Sequence, residues 1–179
     1  MKKTPAEPQE SLHRGRFVEL VKEGRWEYVR RVKAKGAVFV LAMTDARELI
    51  LVEQYRVPVH ARTIELPAGI YGDDESAANE SPEDCAIREL EEESGYRGAK
   101  ARVLLTGPVA PGLTTEIMYL VRVENLERVH AGGGVGGEDI TVHCIGLDRL
   151  DGWLEQQREA GRMVEPRVYA GLHFLAKEG

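Results

Sequence analysis

The ten residues IRELEEESGY, 87–96, place glutamates at 89, 91, 92 and 93 and close on a glycine at 95. Glu89, Glu92 and Glu93 stand at i, i+3 and i+4, which on an α-helix brings their carboxylates to one face. Uncompensated like charges at that spacing cost roughly 0.2–0.5 kcal/mol per pair. Glutamate is a good helix former, so a solvated face would tolerate the repulsion. A hard divalent cation, Mg²⁺ or Mn²⁺, would turn it into coordination by oxygen. Arg88, one turn before Glu92, is placed to orient that carboxylate.

The helix that must carry these groups has legible ends. Ser81 offers an oxygen for the N-cap, Pro82 suits the first helical position, and Asp84 can complete a capping box. Gly95 is the natural left-handed residue past the end. Ala86 and Leu90, with Ile87, give the helix an apolar side.

Upstream, the sequence reads as strands at Phe17–Val21, Trp26–Val32, Ala37–Met43 and Leu49–Tyr55. The polar breaks KEGR and TDARE between the first two and the last two read as hairpin connections. The segment 61–69, ARTIELPAG, is a short strand running into a Pro/Gly turn, and a polar loop leads from it to the helix. Downstream come strands near Ala101–Thr106, Ile117–Val123 and Ile140–Leu147, a glycine loop at 130–139, and helices near 148–160 and 166–177. Residues 1–14 read as disordered or loosely attached, ahead of one domain over 15–179. The order of elements predicts an α/β (α+β) fold.

Composition sets the limits. A chain of 179 residues, 42% apolar and 30% charged, can bury the core of one domain. The net charge of −6 argues against a nucleic-acid backbone as partner, yet leaves room for nucleotides held through a divalent cation. Cys85 and Cys144 lack metal-ligand spacing and read as free thiols in a reducing, cytoplasmic setting. No signal peptide is legible, and the longest apolar run is too short to span a bilayer.

Glu80, seven residues, and then Arg88-Glu89-Leu90-Glu91-Glu92-Glu93-Ser94-Gly95-Tyr96 resembles the Nudix box, Gly-x5-Glu-x7-Arg-Glu-U-x-Glu-Glu-x-Gly-U with U apolar. The opening departs: Asp74 stands where the first glycine belongs. Gly69 is the better counterpart, which implies a five-residue insertion. Doubling a loop adds only about 0.6 kcal/mol of closure cost. EQYRVP (53–58), IELPAG (64–69), PGLTTE (111–116), EDITVH (138–143) and RWEYVRR (25–31) resemble segments of the ADP-ribose and nucleoside-diphosphate-sugar pyrophosphatase branch.

That resemblance implies a mixed β-sheet between helices, with an N-terminal antiparallel strand region over 15–34 that contributes to a homodimer. It implies hydrolysis of the pyrophosphate bond of ADP-ribose or a related nucleoside diphosphate sugar, with Mg²⁺ or Mn²⁺ and more than one ion. Metal would be held by Glu89, Glu92, Glu93 and the carbonyl of Ala68. The general base would be Glu138, carried over the substrate by the glycine loop as a mobile arm, or Glu92, with Arg88 in support. Substrate would meet Trp26, Arg56, Glu65, Pro111 and Glu116, Trp26 stacking on the base. Two other readings stay open: a dinucleoside polyphosphate or nucleoside-triphosphate hydrolase, and a non-catalytic ADP-ribose sensor.

Overall fold

The computed structural model describes residues 7–72 and 79–178, so the predicted insertion between Gly69 and Glu80 lies mostly outside the described residues. In chain order the elements are β1 (Gln9–Arg14), β2 (Val18–Glu23), β3 (Trp26–Arg31), β4 (Gly36–Ala42), β5 (Glu48–Arg56), β6 (Ala61–Glu65) and β7 (Ala68–Tyr71). They continue with α1 (Pro82–Ser94), β8 (Tyr96–Pro108), β9 (Ile117–Arg128), β10 (Ile140–Gly146), α2 (Leu150–Glu159), β11 (Met163–Val164) and α3 (Arg167–Glu178). Three sheets result, in the orders β1-β2-β3, β10-β5-β6-β11 and β7-β4-β9-β8. The first is antiparallel throughout, whereas the other two are mixed, with β4 parallel to β9 and β6 parallel to β11.

Strand β4 shows why helices cover both sides. All seven of its residues are buried, as expected of a strand that is apolar without alternation. Ala37, Phe39 and Leu41 join Leu49, Leu51, Ile64 and the α2 and α3 residues Leu154 and Val168 in one core. Val38, Val40 and Ala42 join Cys85, Ala86 and Leu90 of α1 and Val121 and Val123 of β9 in another. Each fully buried Val or Leu contributes roughly 1.5–3 kcal/mol of transfer free energy. The helix bearing the glutamates is thus clamped by the same strand that, through Phe39, pairs with Ala68 of β7.

The ends of α1 follow the sequence reading. Ser81 Oγ accepts from the Asp84 amide at 3.1 Å, and the Asp84 carboxylate takes the Ser81 amide to complete the capping box. Gly95 closes the helix at φ 76°. An N-cap of this kind contributes about 1 kcal/mol.

Two expectations need correction. TDARE makes a turn, with the Arg47 amide donating to Thr44 O at 2.9 Å, but β4 and β5 then enter different sheets and share only the Met43–Leu49 bridge. Both strands are apolar on the faces that matter, so each finds a fuller partner elsewhere. Residues 9–14 form strand β1, and 1–6 lie outside the described residues. All six residues of β1 are exposed and it pairs only with β2, so no apolar alternation marks it in the sequence. Both cysteines carry free thiols. No helix among the described residues is long and apolar enough to cross a membrane.

Candidate active site

The glutamate face of α1 does not look out into solvent. It forms one wall of a cleft of about 1140 Å³, whose other walls come from β5, β6, β7, the 132–138 loop and the start of α3. Glu93 is only 5% exposed. Its Oε2 accepts from the Ala68 amide at 3.0 Å, which ties the helix to β7. Glu89 lies against Gly69, where an added Cβ would fall 1.9 Å from the Glu89 carboxyl carbon. A side chain at 69 would push the Glu89 carboxylate out of this place, which gives the glycine of ELPAG a physical reason.

Arg88 reaches three carboxylates. Its Nε donates to Glu80 Oε1 at 3.0 Å, and its Nη1 donates to Glu89 at 2.8 Å and Glu92 at 3.3 Å. The bond to Glu80 leads in holding the guanidinium's pKa above its usual range. Glu80 therefore acts as the anchor of Arg88.

Four guanidiniums and eight glutamates line the cleft. Arg56 binds Glu65 through two parallel bonds, Nε–Oε1 at 2.8 Å and Nη2–Oε2 at 2.6 Å. Arg31 pairs with Glu116 and Arg167 with Glu165. With Arg88 anchored by Glu80, this leaves Glu89, Glu92, Glu93 and Glu138 without a full countercharge. The effect shows in the acidities of Glu93 and Glu89. Burial, with the Glu89 and Glu138 charges adding and the Ala68 amide opposing, pushes Glu93 up to about 8. Burial also raises Glu89 against the opposing pull of Arg88, with Glu92 and Glu138 adding. In Glu65 burial works upward, but the bonds from Arg56 and Thr63 hold the carboxyl below its ordinary value.

Among the described residues no three acidic, His or Cys side chains stand gathered round one ion-sized point. Arg88 occupies part of the space between Glu89 and Glu92. The donor set nevertheless fits a hard cation: unpaired carboxylate oxygens, four more carboxyl groups than guanidiniums, and a glycine that leaves room for Glu89. Two divalent ions would balance that excess.

Glu138 also lines the cleft, its Oε2 held by the Val135 amide at 3.0 Å. The glycine loop that carries it is not a free arm. Gly133 and Gly134 donate their amides to Glu93 O at 2.8 Å and Glu92 O at 3.1 Å. Positive φ at Gly132, Gly133 and Gly134 turns these amides toward carbonyls that the helix end leaves unpaired.

Of the residues singled out by sequence, Arg56, Glu65, Ala68, Arg88, Glu89, Glu92, Glu93, Glu116 and Glu138 meet in this cleft. Trp26 and Pro111 do not. They line a second cleft of about 670 Å³ with Tyr28, Thr114 and Thr115, beside the N-terminal sheet. Sequence reading missed Arg31, Phe39, Glu165 and Arg167. The triplet Glu165-Pro166-Arg167 at the mouth of the last helix was the available signal, since Pro and an acid mark a helix start.

Comparison with known proteins bears on this site. The NUDIX domain family matches residues 33–162. The methanol dehydrogenase activator of Bacillus methanolicus is 31% identical over 172 residues, 93% of this chain and 89% of that protein. The ADP-ribose pyrophosphatase of Bacillus subtilis (strain 168) is 35% identical over 124 residues, 66% of this chain and 64% of that one. The GDP-mannose pyrophosphatase of Yersinia pestis (strain Pestoides F) is 28% identical over 176 residues, 92% and 86% of the two chains. A solved ADP compounds hydrolase superposes with a TM-score of 0.68 at 25% identity, covering 87% of this chain and 84% of its own.

Proposed function

Because this chain belongs to the NUDIX family, we propose that it is a metal-dependent pyrophosphatase acting on ADP-ribose or a related nucleoside diphosphate sugar. The products are a nucleoside monophosphate and a sugar phosphate. One observation carries the reading: four carboxylates without a full countercharge in one cleft, three on the α1 wall and Glu138 on the 132–138 loop, beside guanidiniums that are each already tied to a carboxylate. The relatives that cleave ADP-ribose and GDP-mannose support the substrate class.

Glu89, Glu92, Glu93 and the carbonyl of Ala68 would hold Mg²⁺ or Mn²⁺, with more than one ion per site. When bound, such ions supply positive charge at the phosphoryl oxygens and favour a deprotonated water. The chain's own groups do the rest. Arg56, fixed by Glu65, offers its remaining Nη1 edge to a diphosphate oxygen. Glu138 takes the proton of the attacking water, with Glu92 as the alternative base. Arg88, anchored by Glu80, keeps Glu89 and Glu92 oriented. The retained carboxylates speak against a non-catalytic sensor. The two free thiols support a cytoplasmic setting.

A Mg²⁺-dependent panel tests the activity: ADP-ribose, GDP-mannose, ADP-glucose, UDP-glucose, NADH, a diadenosine polyphosphate and dGTP. Fastest release of nucleoside monophosphate from a nucleoside diphosphate sugar is the expected result. Faster cleavage of dGTP or the diadenosine compound would overturn the substrate assignment.

The homodimer belongs to the same proposal. Trp26 is 55% exposed, Phe17 68% and Leu113 62%, an apolar surface around the N-terminal sheet that a second copy would cover. β3 is tied to the 113–115 loop by the bonds Val29 N–Leu113 O and Thr115 N–Val29 O, so this surface is continuous with the second cleft. In the dimer Trp26 would serve the base at the partner's site. Light scattering should give twice the chain mass, and a fully active monomer at low concentration would sink the assignment.

A further inference from the structure

Arg167 lines the cleft but has no part in the chemistry above. It opens α3, and its guanidinium lies over the Phe39 ring, 3.9 Å from the centroid. Nε donates to Glu165 Oε1 at 2.7 Å, while the Arg167 amide donates to Glu165 Oε2 at 2.9 Å. Glu165 is in turn tied to β6, its amide donating to Ile64 O at 2.9 Å. The planar group is thus fixed on one face by a ring and at Nε by a carboxylate. Its Nη1 and Nη2 have no hydrogen-bond partner among the described residues, and the side chain keeps a quarter of its exposure.

The chemistry of this pair differs from that of the Arg56–Glu65 clamp. Both pairs are electrically neutral, but this one is joined through Nε alone and sets both Nη donors beside carboxylate acceptors on a rigid support. Adjacent sugar hydroxyls, each both donor and acceptor, match such a pair. A further phosphate would instead bring its charge up against the Glu165 carboxylate that borders the fork. The position also fits. Phe39 pairs with Ala68 across the β4–β7 ladder, and paired Cα atoms lie about 5 Å apart. Ala68 binds Glu93, so the clamp stands one strand away from the carboxylate wall.

Resting on the substrate class proposed above, we infer that Glu165 and Arg167, mounted on Phe39, form the subsite for the sugar hydroxyls and select an uncharged, diol-bearing sugar. The test compares kcat/KM for the best-cleaved nucleoside diphosphate sugar with that for the P2-methyl ester of the same nucleoside diphosphate. The ester keeps the anhydride and lacks the sugar. Arg167→Met preserves an apolar stem over Phe39 but removes the fork, and should lower the sugar-to-methyl ratio about 10- to 100-fold. Arg167→Lys keeps the charge without the fork and should not restore the ratio. Glu165→Gln should relax discrimination against the same substrate bearing an extra phosphate on the sugar.

A ratio unchanged in Arg167→Met, or equal loss on both substrates, overturns the subsite. Undiminished rejection of the phosphorylated sugar by Glu165→Gln overturns the charge selection. If the wild-type protein cleaves no nucleoside diphosphate sugar, the substrate class itself falls and the subsite with it. If it does and the ratio holds, only the subsite falls.

Discussion

Glu93→Gln is expected to lower kcat by about 10² to 10⁴-fold and, in the absence of metal, to make the protein more stable at alkaline pH. The rate loss follows from deleting a charge on the carboxylate wall. The stability gain follows from burial. Glu93 is 5% exposed and its carboxyl is pushed up to about 8, far above the ordinary 4.5. A carboxyl raised on folding contributes stability that is present below its unfolded pKa and fades as pH climbs toward the folded value. In EDTA the wild-type Tm should therefore fall between about pH 5 and pH 8, by a free energy on the order of several kcal/mol. The glutamine variant lacks the titration and should show a flatter profile. Added Mg²⁺ should restore the wild-type protein at high pH. Wild-type turnover by the variant in saturating Mg²⁺ would refute the metal assignment, and parallel Tm profiles in EDTA would refute the account of burial.

Glu138→Gln and Glu92→Gln together identify the base. A positioned general base contributes about 10² to 10⁴-fold. Glu138 is held by the Val135 amide inside the cleft, an arrangement that glutamine's oxygen can keep. The expected result for Glu138→Gln is a large loss of kcat with Mn²⁺ affinity nearly unchanged. Glu92, bonded to Arg88, should lose metal affinity as well as rate. Near-normal kcat in Glu138→Gln, with Glu92→Gln slowed at intact metal affinity, would transfer the role to Glu92.

The sequence carried α1 almost whole, because capping, spacing and glycine termination are local. It showed that Glu89, Glu92 and Glu93 share a face but not what covers that face. The cover is β7, and the contact between Ala68 and Glu93 spans 25 residues of chain. Glu165 and Arg167 carried a helix-start signal, but their place in the cleft was hidden for the same reason: their neighbours Phe39 and Ile64 lie far back in the sequence. β1 was missed because a strand wet on both faces leaves no periodic trace. The glycine loop was read from what its residues lack, whereas its structural role comes from backbone amides that no side chain announces.

That loop joins two things usually treated separately. The amides of Gly133 and Gly134 bond the carbonyls of Glu93 and Glu92, and the Val135 amide holds Glu138. The last turn of α1 and the carboxylate of Glu138 therefore form a single mechanical unit, and neither can leave its place without loosening the other. Fraying of that turn would scatter both carboxylate sets at once. Loss of these few hydrogen bonds at one helix end would then suffice to dismantle the carboxylate cluster.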